Sequence, residues 1–166
     1  MEITRITLEN FLKKWDGDPL LNSIGKSDAR HQKGEGVTFT VEAPNATILM
    51  NTSSATFRKG DNEIMDTFYT EKILTLQQER LTEAIKKFVV DFYSYMPELD
   101  NQEHFTVIFE IKDEELERNG KILPPTANAS IRTYSFKVKW TMNDLKDLKI
   151  GKLKADQFSK RITTDK

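Results

Sequence analysis

Two histidines and no cysteine bound the chemistry open to this 166-residue chain. Without a thiol there is no disulfide, no thiolate nucleophile and no cysteine-ligated zinc or iron–sulfur site. His31 and His104 lie far apart in the sequence, with no HxH or HxxxH spacing. A catalytic zinc usually takes three protein ligands, so neither a metal nor any other cofactor is predicted. Asp16 and Asp18 open like a calcium loop, but its twelfth position, counted from Asp16, is Ser27 where glutamate is needed. Gly25-Lys26-Ser27 reads as the tail of a phosphate loop. The glycine required five residues earlier is Leu20, and no strand precedes it. Asp113, Glu114, Glu115 and Glu117 form an acidic knot that reads as a solvated turn. A hydrolytic pair of carboxylates is defined by meeting in space, which spacing does not show. No residue is therefore assigned a catalytic role, and a small hydrolytic enzyme or ligand-binding domain is a minor alternative.

The cations are more informative. Residues 20–36, LLNSIGKSDARHQKGEG, read as a long loop carrying Lys26, Arg30, His31 and Lys33. Long loops on a rigid scaffold commonly carry function, so these four residues are the candidate contacts to a protein partner. A second set, Lys137, Lys139, Lys146, Lys149, Lys152 and Lys154, makes a basic patch if the tail folds back beside the strand that bears the first two. That patch could meet phosphates, as a nucleic-acid-binding module does. Asp144, Asp147 and Asp156 interleave with it and dilute its field. The whole chain, with 25 Lys and Arg against 26 Asp and Glu, has net charge -1. That balance argues against a dedicated polyanion binder.

The elements that position these residues follow from periodicity. Leu74, Leu81, Ala84, Ile85, Phe88, Phe92 and Met96 fall on one side of a helix, ended by Pro97. Thr75 followed by Gln78 fits a capping box at its start. Thr7 can cap a shorter helix, Leu8 to Trp15, with Leu8, Phe11, Leu12 and Trp15 on one face. Val37 to Val41 alternates as a strand does, and short strands are expected at 46–50, 55–58 and 64–69, joined by turns. Phe105 to Ile111 and Ile131 to Met142 alternate over their whole lengths and predict a long hairpin. Asn143 can cap a thin amphipathic tail that Gly151 breaks.

These elements predict an α+β fold: an antiparallel sheet packed against one long central helix, with short terminal helices. Residues 1–142 form one domain, and 143–166 a tail packed on it. The polar strand face, the basic loop and the thin terminal helices favour a noncatalytic interaction or assembly protein, with a protein partner or a second copy of itself. The chain shows no signal-peptide pattern and no stretch of 18 apolar residues, so a cytoplasmic location without a transmembrane segment is expected.

Overall fold

The computed structural model describes residues 1–15, 24–43, 67–111, 117–118, 121–122 and 134–165. Helix α1 (Glu2–Lys13) leads into the hairpin β1 (Ser27–Gln32) and β2 (Gly36–Ala43). Helix α2 (Thr67–Phe92) ends in a 3-10 turn, Tyr93–Tyr95, before β3 (His104–Ile111). Two-residue strands β4 (Glu117–Arg118) and β5 (Lys121–Ile122) pair with each other. Strand β6 (Tyr134–Thr141) runs into α3 (Met142–Lys149), followed by α4 (Ala155–Arg161) and β7 (Thr163–Asp165).

The fold is α+β, with a five-stranded sheet in the order β1-β2-β3-β6-β7. The sheet is mixed: β2 and β3 run parallel, and every other neighbouring pair is antiparallel. A parallel pair cannot be joined by a tight turn, and α2 lies in the connection between β2 and β3. Alternation puts Val37, Phe39, Val41, Phe105, Val107, Phe109, Phe136, Val138 and Trp140 on one face, all buried. Phe105 stacks on Trp140 at 5.6 Å, and Phe109 on Phe136 at 5.0 Å, both between strands in register. Leu81, Ala84, Ile85, Phe88 and Val89 of α2 complete this core. Phe11 of α1 joins it through Phe88 and Phe92, at 5.5 and 5.6 Å.

Several expected boundaries move. Helix α1 begins at Glu2, so Thr7 is no cap; its hydroxyl donates to Ile3 O one turn back. Helix α2 begins at Thr67, so Thr75 lies inside it and the expected strand at 64–69 gives way to helix from Thr67. Its α-helical part stops at Phe92, and Met96 is already extended. Residues 27–32 form an edge strand where a loop was expected, because every second residue can pair with β2 while its outer side stays polar. Met142 starts a helix capped by Thr141, whose Oγ1 accepts from the Asp144 N–H, and not by Asn143. Strand β7 follows where the tail was expected to hold helix alone. Of the acidic knot, Glu117 belongs to the two-residue strand β4, and Asp113, Glu114 and Glu115 lie outside the described residues. The expected strands at 46–50 and 55–58, and residues 131–133, lie outside the described residues. Leu145, Leu153 and Phe158 of the tail are buried in the common core.

Candidate functional site

The face of the sheet opposite the core is built from the residues between the apolar ones. From β1 it takes Asp28, Arg30 and Gln32; from β2, Thr38, Thr40 and Glu42. Strand β3 adds His104, Thr106, Ile108 and Glu110, and β6 adds Ser135, Lys137 and Lys139. Register aligns them in rows across the sheet: Asp28, Thr40, Ile108, Lys137 and Asp165, then Arg30, Thr38, Thr106, Lys139 and Thr163. Threonines fill the middle because a β-branched side chain suits a pleated, half-buried surface.

A trough of about 620 Å³ lies over β1, β2 and β3 on this face. Its lining holds four carboxylates, Asp28, Glu35, Glu42 and Glu110, against two cations, Lys26 and Arg30. Arg30 stands 3.4 Å from Asp28, an exposed pair, and Gln32 donates to Glu35 at 2.7 Å. Glu42 and Glu110 are neighbours across the parallel pair, so the trough is most acidic there. Lys137 and Lys139, on the next strand, border it with the opposite sign. On this face His104 is held below its ordinary value of 6.5, first by burial and then by the charge of Lys139.

The expected partner-binding residues divide. Lys26 and Arg30 line the trough. His31 turns to the rim, where its Nε2 stands 3.6 Å from Glu103 Oε1. Glu103 is buried and accepts the backbone N–H groups of Gly34 (2.8 Å) and Asp100 (3.0 Å). Those two bonds, Gly34 first, hold its carboxyl below the ordinary carboxylate range. Lys33 stays exposed in the hairpin turn. The expected nucleic-acid-binding residues also divide. Lys137 and Lys139 sit on the open face, whereas the Lys146 ammonium donates to Asn101 Oδ1 at 2.5 Å and to Leu99 O at 3.3 Å. Lys149 is half-buried on α3, and Lys152 and Lys154 are exposed around the turn that follows. Spacing alone did not single out Asp28, Thr40, Ile108 or Glu110. For Thr40, Ile108 and Glu110 the signal was present, since these are the alternate positions of strands whose core face was already assigned; Asp28 lay in a segment read as loop.

No family model, curated protein or solved structure matches this chain. Among the described residues no three His, Asp or Glu side chains converge as a metal site, and no helix is long and apolar enough to cross a membrane. A second cleft, of about 320 Å³, lies on the core side between α2 and β7. Glu79, Glu83 and Asp165 line it above Phe136, and Lys86 is held by Glu83 at 2.8 Å.

Proposed function

We propose that the chain is a noncatalytic interaction or assembly module that receives a protein partner on the open face of its sheet. The observation that carries this reading is the trough over β1 to β3. Thr38 and Thr40 line it beside Ile108, and its lining has two more carboxylates than cations. Such a surface suits a protein segment that brings lysine or arginine to Glu42 and Glu110 and an acidic group to Lys137 and Lys139. Charge complementarity of this kind sets orientation and association rate more than raw affinity. The rigid strands beneath pre-form the surface, so little ordering cost falls on this side of the complex.

The test is site-specific photo-crosslinking in the native host. A crosslinker at Thr40 should capture a protein, one at exposed Lys87 on α2 should not, and Glu110→Arg should abolish the Thr40 product. Equal capture at both positions, or capture that survives Glu110→Arg, would overturn the reading. Co-purifying nucleic acid that high salt strips away, and that Lys137→Glu with Lys139→Glu abolishes, would replace it with nucleic-acid binding.

A further inference from the structure

The outer edge of β1 carries a second surface, distinct from the open face. Lys26 O accepts the Glu42 N–H at 3.0 Å, which fixes the parity of the strand. In an antiparallel pair, residues alternate between bonding inward and pointing their backbone groups outward. Lys26, Asp28 and Arg30 therefore bond to β2, whereas Ser27, Ala29 and His31 point outward. Ser27 shows the arrangement directly. Its N–H donates to Glu9 Oε2 at 3.2 Å, and its carbonyl accepts from Arg5 Nη1 at 3.0 Å. Helix α1 thus closes the edge at its first residue. Among the described residues nothing bonds the outward groups of Ala29 and His31. An unclosed edge of this kind is a template for another strand.

We propose that two copies of the chain pair antiparallel along β1, about a two-fold axis at Ala29. Three features select this occupant and this register. Ala29 is the smallest outward-bonding residue of the strand, and at the axis it faces itself without steric conflict. The two copies exchange a pair of backbone hydrogen bonds there, each Ala29 N–H donating to the other's carbonyl. The same register sets Asp28 opposite Arg30 of the second copy, and Arg30 opposite its Asp28, both on the open face. Opposite charges facing each other across strands are favourable, and like charges are not. Moving the axis one residue, to Arg30 or to Asp28, would bring two guanidinium groups or two carboxylates face to face. Flanking pairs between Ser27 and His31 form where Arg5 and Glu9 release Ser27. A two-fold axis perpendicular to the sheet keeps both cores on one side, so the α1 helices lie beside the join.

The paired edge shares Asp28 and Arg30 with the open-face trough, whereas Glu110→Arg leaves β1 untouched and so tests the open-face reading separately. Sedimentation velocity of the full chain over a range of concentrations reads it. The wild type should shift with concentration from 19.2 kDa toward twice that mass. Ala29→Pro removes an outward N–H and no bond to β2, so the fold should survive, as its circular dichroism and melting would show. Its dimer should weaken about tenfold or more. Asp28→Arg and Arg30→Asp should each weaken the dimer, and the two substitutions combined should restore it, because opposite charges then face each other again with their positions swapped. Rescue separates an axis at Ala29 from one at Arg30, where the exchange only trades one like pair for another. A wild type that stays monomeric at every concentration would overturn the proposal. So would a dimer that the single exchanges leave unchanged.

Discussion

At the scale of single residues, the charges that hold this fold together should be visible in its response to pH. Glu9 accepts from Lys13 Nζ at 2.6 Å and from Ser27 through Oγ and N–H. These bonds, Lys13 first, lower its carboxyl from the ordinary 4.5 to about 2. A depressed acid contributes stability that is present above the unfolded value and lost as pH falls through the folded one. Wild-type stability should therefore fall more steeply than that of Glu9→Gln between pH 4.5 and about 2, measured by urea unfolding at each pH. Matching slopes would remove Glu9 from this role. His104 titrates with the opposite chemistry. Its folded value lies below 6.5, so the unfolded chain takes up a proton first, and stability drops as pH falls from 6.5 toward that value. Lys139→Met should raise the His104 midpoint in an NMR titration, yet leave it below 6.5, because burial is the larger cause. Gly36 is constrained by geometry instead. Its φ is +115°, and a Cβ there would stand 2.0 Å from His104 O. Gly36→Ala should cost about 2–4 kcal/mol in chemical denaturation, since both the dihedral and the strand contact must give.

At the scale of elements, α2 and the end of β6 are the joints on which the rest depends. Phe88 is 1% exposed and meets Phe11 of α1 and Phe92 of its own helix. Phe88→Ala should cost about 3–5 kcal/mol in equilibrium unfolding, and a cost below about 1 kcal/mol would contradict helix-on-sheet packing. Thr141 and Asp144 cap each other at the start of α3, by bonds of 3.0 and 2.7 Å. Arg161 of α4 reaches Asp144 Oδ1 at 2.5 Å, so a single carboxylate links β6, α3 and α4. Asp144→Ala should therefore do more than loosen one cap, typically worth about 1 kcal/mol. Hydrogen exchange should also quicken at Thr163 to Asp165, the strand that α4 delivers to β6. Unchanged exchange there would confine Asp144 to its own helix.

At the scale of the whole molecule, a two-layer arrangement leaves one sheet face as core and one as surface. The tail belongs to both layers. Leu145, Leu153 and Phe158 enter the core, while β7 extends the sheet beside β6. Deleting residues 143–166 should abolish cooperative thermal unfolding by calorimetry. A truncated chain that melts as sharply as the full one would make the tail an appendage.

The periodic residues decided much of this without help from tertiary structure. Val37, Phe39 and Val41, then Phe105, Val107, Phe109 and Ile111, and Leu81, Ala84, Ile85 and Phe88 lie buried as their spacing requires, because a two-residue or 3.6-residue repeat of apolar side chains has only one side to hide. The same alternation already implied a polar face bearing Lys137 and Lys139. Partnership was not legible. Nothing local states that β2 lies parallel to β3, since their register is set by the layer that α2 completes. Residues 27–32, polar and loop-like in composition, became a strand because β2 presented a free edge with bonds to satisfy. Lys146 looked like any surface cation until the fold brought Leu99 and Asn101 to its ammonium. Local sequence determined which side of each element is apolar, through side-chain hydrophobicity and backbone period. Tertiary structure alone decided which edges meet and which charges face one another, because those depend on contacts between residues far apart in the chain.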